Sequence, residues 1–186
     1  MMLSALRLER PALRHQAAFQ AVVADYALAG EREKLELYQP AIQDFGDYCD
    51  LLELNELGRR LPDGWVPIST FWMLDGEQRV CGIIRIRHQL NGFLEEHAGH
   101  VGYDVPPSRR GQGNGRRLLE LGLVEARRLG LGRVLLVCDD DNAPSLRIIE
   151  RCGGAYQDTR QPPGEPVPVR RYWIELRAPP RDEGGG

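Results

Sequence analysis

The sequence predicts a mixed α/β (α+β) fold: a mostly antiparallel central sheet of about seven strands, in the order β-α-α-β-β-β-α-β-α-β-β, with one β-α-β unit. Three observations predict it. Asp75-Gly76 sits between two β-rich runs, a strong hairpin signal. The stretch Arg109-Arg110-Gly111-Gln112-Gly113-Asn114-Gly115 follows an apolar run and a Pro106-Pro107 break, and opens onto a helical pattern. Val134 to Cys138 is short, apolar and β-branched, as in a strand buried on both faces.

The elements follow in chain order. Leu3 to Glu9 alternates apolar and polar residues and predicts a first strand. Pro11 suits a first helical turn. Alanine-rich Ala12 to Ala29, with Ala18, Val22 and Tyr26 at helical spacing, continues to a Gly30 stop. After a polar segment, a second helix is expected over Gln43 to Leu57, burying Phe45, Tyr48, Leu52 and Leu57. Pro62 to Pro67 is a loop. Strands are expected over Ile68 to Leu74, Arg79 to Arg87 and His97 to Val105. The glycine turn, a helix to Gly130 and the strand at Val134 complete the β-α-β unit, which should cross over right-handed. Ala143 to Cys152 is a short helix stopped by Gly153-Gly154. Strands over Ala155 to Thr159 and Val169 to Arg177 close the order.

Composition narrows the class. The 186 residues suit one domain, expected over 1–177, with a proline- and glycine-rich tail at 178–186 expected to be disordered. A hydrophobic share of 42% and a charged share of 27% are those of an ordinary globular chain. A net charge of −3 argues against nucleic acid as a partner. The N-terminus lacks the apolar core of a signal peptide, and no run is long enough to span a membrane, so a cytoplasmic location is expected. Cys49, Cys81, Cys138 and Cys152 are far apart, with no histidine at zinc spacing, so no metal site is expected. Lys34 is the only lysine, which reads as genome composition.

A glycine-rich turn between strand and helix leaves backbone N–H groups aimed outward at the positive end of the helix dipole, an anion cradle for a phosphate or pyrophosphate. A dinucleotide-binding turn needs G-x-G-x-x-G, but Arg116 stands at the third glycine and the chain has a single β-α repeat. A P-loop needs a lysine that the turn lacks.

Arg110-Gly111-Gln112-Gly113-Asn114-Gly115 resembles the R-x-x-G-x-G/A signature of the GNAT superfamily of N-acetyltransferases. Val105-Pro106-Pro107 resembles the V-x-P ending that family's fourth strand. Asn142-Ala143-Pro144-Ser145 and Ile149 to Gly154 resemble its second motif, and the element order matches too. The resemblance covers Leu3 to Leu176. It implies an acetyl-CoA-dependent N-acetyltransferase in which an amine attacks the thioester directly in a ternary complex. Backbone N–H groups from Arg110 to Gly115 would hold the coenzyme A pyrophosphate, with glycine at 111, 113 and 115 allowing close approach and positive φ. The Val105 backbone would pair with pantetheine and polarise the thioester carbonyl. Asn142 and Ser145 would contact the pantetheine arm or simply cap the helix. One position departs: where many relatives carry a tyrosine that protonates the leaving thiolate, this chain has Ile149.

The amine arrives protonated and must lose a proton before attack. His100, on the expected fourth strand, is the first candidate base. Glu95, Glu96 and His97 in the preceding loop, and His88, are weaker ones, with a structural role as the alternative for each histidine. Tyr103 reads as core. Acids at Glu31, Glu33, Glu36, Asp44, Asp47, Asp50, Glu53 and Glu56 would make one wall of the acceptor cleft negative, favouring a cationic small-molecule or peptide amine; a solvated helix face explains the same residues and is the simpler reading. The resemblance allows a homodimer, although nothing in the chain specifies an interface. The alternative function is a coenzyme A-binding sensor or interaction module with a degenerate catalytic centre, which Ile149 keeps open.

Overall fold

A computed structural model of the chain describes residues 6–164 and 166–176. The expected strand at Leu3 therefore appears only as β1 (Arg7–Glu9), and the tail at 178–186 lies outside the described residues. The first helix, α1 (Gln16–Leu28), starts after a 3-10 turn at Leu13–His15. It buries Phe19, Val22 and Tyr26, one helical turn apart along a single face.

The polar segment that followed is not a plain link. It holds α2 (Arg32–Leu37) and α3 (Gln39–Gln43), too short to show a period, and between them Tyr38 is fully buried. The next helix, α4 (Phe45–Glu56), begins where Asp44 accepts the Asp47 N–H at 2.9 Å, an N-cap. Phe45 and Tyr48 are buried as expected, but Leu57 is 64% exposed because it lies beyond the last turn.

The hairpin forms as read: β2 (Ile68–Leu74) pairs antiparallel with β3 (Val80–Arg87). Every residue of β2 is buried, because helices cover both of its faces. Strand alternation sorts the side chains: Phe71 and Met73 enter one core cluster, Trp72 and Leu74 the other. His97 does not begin a strand. It ends a short helix, α5 (Gly92–His97), capped by Asn91, whose side chain accepts the Leu94 N–H at 2.9 Å; Glu95 and Glu96 lie on that helix. The fourth strand, β4 (Val101–Asp104), is correspondingly short.

The rest is α6 (Asn114–Arg128), β5 (Arg133–Asp139), α7 (Ala143–Arg151), β6 (Ala155–Arg160) and β7 (Val169–Glu175). Among the described residues the seven strands make two antiparallel sheets, β1-β2-β3-β4 and β5-β7-β6, instead of one continuous sheet. One core cluster joins α6 and α7 to both sheets through Leu118, Leu119, Leu146 and Ile149; the other packs α1, α3 and α4 on the opposite face of β2 and β3.

Among the described residues one isolated backbone bridge links the two sheets. Gly99 bridges Leu136, and the His100 N–H donates to the Leu135 carbonyl at 2.7 Å. Only glycine fits there: φ is +64°, and a Cβ would lie 2.4 Å from the Leu135 oxygen. Gly99→Ala should therefore cost about 3 kcal/mol, left-handed backbone strain plus overpacking. Gly130→Ala, also at positive φ but with nothing within 4 Å of the added carbon, should cost only about 1 kcal/mol of strain. Urea unfolding of the two variants checks this, and equal costs would mean that the sheet junction is not tight.

Candidate functional site

Beyond that junction a cavity of about 520 Å³ opens between the end of β4, the glycine turn and the start of α7. Tyr103, Asp104 and Val105 line it from β4, Arg110, Gly111 and Gly115 from the glycine turn, and Asn142, Pro144, Ser145, Arg147 and Ile148 from the start of α7. Motifs some 30 residues apart in sequence thus share one cleft.

The glycine turn is built as a cradle. Gly111 and Gly113 have φ of +71° and +81°, and a Cβ on either would face open space. Gly113 is the N-cap of α6, and the helix's first bond runs from the Arg117 N–H to the Gly113 carbonyl at 3.1 Å. The N–H groups of Asn114, Gly115 and Arg116 precede that bond and point outward. Polar side chains near them turn inward instead: Gln112 donates to the Ser108 carbonyl and Asn114 to the Arg109 carbonyl, both at 2.9 Å. They brace the loop and leave the main-chain donors free for an anion. Gly115 serves differently from the other two. It sits inside the helix, and a Cβ there would come 2.8 Å from Ile148 Cδ1, so its bareness lets α6 and α7 close together.

Two contacts tie this turn to α1 and α2. The Ser108 N–H donates to Asp25 Oδ2 at 2.9 Å. The Arg110 guanidinium grips Glu31 with two bonds, 2.6 and 2.9 Å, while its Nε donates to the Val105 carbonyl at 2.9 Å. Bidentate geometry makes this the stronger kind of ion pair, although both partners are partly exposed.

Asn142 caps α7, its Oδ1 accepting the Ser145 N–H at 3.2 Å, and also lines the cavity. Ser145 Oγ lies 3.0 Å from the Tyr103 hydroxyl. Burial pushes that phenol up to about 12, partly offset by the Ser145 bond. Tyr103 is therefore a protonated hydroxyl in the cleft as well as a core side chain; its position two residues before Val105, on the same strand face, was the available signal. Ile149 is 1% exposed within the core.

Asp104 points the other way, toward α1 to α3. Its Oδ2 accepts the hydroxyls of Tyr26 and Tyr38 at 2.9 and 2.8 Å. Its Oδ1 faces Arg85 at 2.9 Å and Lys34 Nζ at 3.5 Å. Burial alone would raise this carboxyl, but Arg85, Lys34 and the hydrogen bonds hold it below the usual range. Sequence reasoning missed Asp104 because its partners come from three other elements.

The other expected base residues are not brought into this cleft. The His100 ring is buried at the sheet junction, where Nδ1 accepts the Leu135 N–H at 2.9 Å. Burial, then Arg133 and Arg87, lower its pKa to about 4, so the ring is neutral with its proton on Nε2. The first candidate base thus faces β5 at the junction and is not among the residues that line the cleft. His88 contacts Ser69 at 2.8 Å, and Glu96 lies 3.5 Å from Arg171 on β7. The acidic wall divides as well: Asp50, Glu53 and Glu56 line a separate cavity of about 570 Å³ with Arg10 and Thr70. Among the described residues no cluster suits a metal ion, and no helix is long and apolar enough to cross a membrane.

A sequence model of the acetyltransferase (GNAT) family matches residues 33–154. A mycothiol acetyltransferase of Geodermatophilus obscurus is 43% identical over 49 residues, 26% of this chain and 16% of that protein. One of Thermomonospora curvata is 31% identical over 100 residues, 54% of this chain and 32% of that protein. The chain thus spans a third or less of the length of these relatives. Among solved structures, RimJ of Mycobacterium smegmatis, in complex with CoA-disulfide, shares the fold at a TM-score of 0.66 and 18% identity, over 93% of this chain and 86% of that one.

The His100 geometry sets a stability prediction. An unfolded histidine titrates near 6.5. Between pH 6.5 and about 4 the unfolded chain takes up a proton that the folded ring refuses, so stability should fall as pH drops through that window. His100→Leu removes this dependence and orphans the Leu135 N–H, at a cost of about 1–3 kcal/mol at pH 7. Melting temperatures from pH 4 to 8 test it; an unchanged pH slope in the variant would sink the assignment.

Proposed function

This chain belongs to the acetyltransferase (GNAT) family, and from that membership we propose that it transfers an acetyl group from acetyl-CoA to a primary amine of a small molecule or peptide. The observation that carries this reading is the shared cleft. The open glycine turn, the end of β4 and the α7 cap line one cavity. In this reading the N–H groups of Gly111 to Gly115 hold the pyrophosphate, and Val105 pairs with the pantetheine amides. Asn142 and Ser145 flank the arm.

The amine nitrogen attacks the thioester carbonyl carbon, the C–N bond forms, the C–S bond breaks, and coenzyme A leaves as thiolate. The departing sulfur needs a donor, and Ile149 is none. Tyr103, protonated at neutral pH and beside Ser145, is the side chain placed to offer one. The amine's proton passes to water, since His100 is occupied at the junction.

Gly113→Glu should abolish coenzyme A binding, whereas Gly113→Ala, which adds only backbone strain, should weaken it by less than tenfold. Calorimetry separates them, and retained affinity in the glutamate variant refutes the cradle. Tyr103→Phe should lower kcat about tenfold, the worth of one hydrogen bond, with KM for acetyl-CoA nearly unchanged. An unaltered kcat removes Tyr103 from the reaction. Coenzyme binding without thiol release against a broad amine panel would favour the binding-module reading.

A further inference from the structure

Lys34 is the only lysine in the chain; every other member of the 24 Lys and Arg residues is arginine. Its place is specific. The ammonium lies 3.5 Å from Asp104 Oδ1, and Asp104 is the residue immediately before Val105 and itself lines the proposed coenzyme cleft. Alternation along β4 turns Tyr103 toward Ser145 on α7 and Asp104 toward Tyr26 and Tyr38 on the other face. Lys34 therefore approaches the end of β4 from the side opposite α6 and α7. With the coenzyme on the α7 side of the strand end, as the acetyltransferase reading has it, this opposite side is the one left for a nucleophile.

The lysine is held in that position. It lies one helical turn after Glu31, which Arg110 anchors to the glycine turn. Its side chain is 31% exposed, so it is neither free in solvent nor locked into the core. The site also tells amine from guanidinium. Arg85 already satisfies Asp104 as a permanent cation at 2.9 Å, whereas a lysine amine can shed its proton and become nucleophilic.

We propose that Lys34 is a built-in acetyl acceptor, modified by the chain's own coenzyme when no amine substrate is present; this rests on the acetyltransferase reading above. The Lys34 ammonium gives one proton to water. Nζ then attacks the thioester carbonyl, the C–N bond forms, the C–S bond breaks, and the thiolate takes up a proton. The products are acetyl-lysine, coenzyme A and one released proton. The modified side chain is neutral, so the Asp104 carboxylate loses one of its two cations.

The test uses the full chain in amine-free buffer with acetyl-CoA carrying an isotopically heavy acetyl group, followed by intact mass and peptide mapping. One heavy acetyl should appear on Lys34, at a first-order rate independent of protein concentration. Lys34→Arg, which keeps the charge beside Asp104, should abolish that label, and Gly113→Glu should slow labelling of Lys34 at least tenfold. Three results overturn the proposal. Equal labelling in Gly113→Glu or in heat-denatured chain means chemical acetylation by free thioester. A rate proportional to protein concentration means transfer between copies. An unlabelled Lys34 in a chain that binds acetyl-CoA and acetylates an amine from a panel makes Lys34 an ion-pair partner only and leaves the acetyltransferase reading standing. If acetyl-CoA does not bind at all, both fall together.

Discussion

The site depends on a single junction between two sheets. At Gly99 and His100 the edge of β4 touches β5 through a backbone bond and a ring nitrogen, His100 N–H to the Leu135 carbonyl and Leu135 N–H to His100 Nδ1. One residue thus satisfies both polar groups of Leu135, and a β4–β5 ladder is not needed to do so. Past this point the strands can part without orphaning buried groups there. The last residues of β4 are left as an unpaired strand edge, which is the kind of surface that an extended amide-bearing arm can join. The junction, together with the core that the sheets share, fixes how β4 sits against β5.

The short β4 then acts as a partition. Consecutive side chains point to opposite faces, so Tyr103 and Asp104 deliver different chemistry to the two sides of one strand end. On the α7 side sits a neutral phenol suited to donating a hydrogen bond. On the α1 side sits a carboxylate whose negative charge is preserved by two hydroxyls and two cations. Burying a lone carboxylate would cost several kcal/mol, so this network is what keeps Asp104 ionised next to an apolar core.

Much of this was legible in the chain because its signals are local. The Asp75-Gly76 turn, the positive-φ glycines at 111 and 113 and the Asn142 cap each act within a few residues, and each stands where it was read. What was not legible was long-range. The His100 side chain has the chemistry of a base, but its partner is Leu135, and no local pattern reports a bond across 35 residues. Tyr38 and Asp104 look unremarkable in their own segments; they matter only once α1, the α2–α3 link and β3 converge. Glycine 115 shows a subtler limit. The motif marks it, and the phosphate turn seemed reason enough, yet its absent Cβ makes room for Ile148. The α2 and α3 helices went unseen because five or six residues cannot display a 3.6-residue period.

Arg110 joins the two sides of the partition. Its Nε holds the Val105 carbonyl while its guanidinium end holds Glu31, at the start of the helix that carries Lys34. A ligand amide that pairs with Val105 does not have to break this strap, because a carbonyl oxygen has two lone pairs and can accept a second donor. The strap is partly exposed, so its net worth is about 1 kcal/mol or less, too little to force a shape on the site. Its effect is on placement. It adds one tether between the glycine turn and the start of α2, across the end of β4.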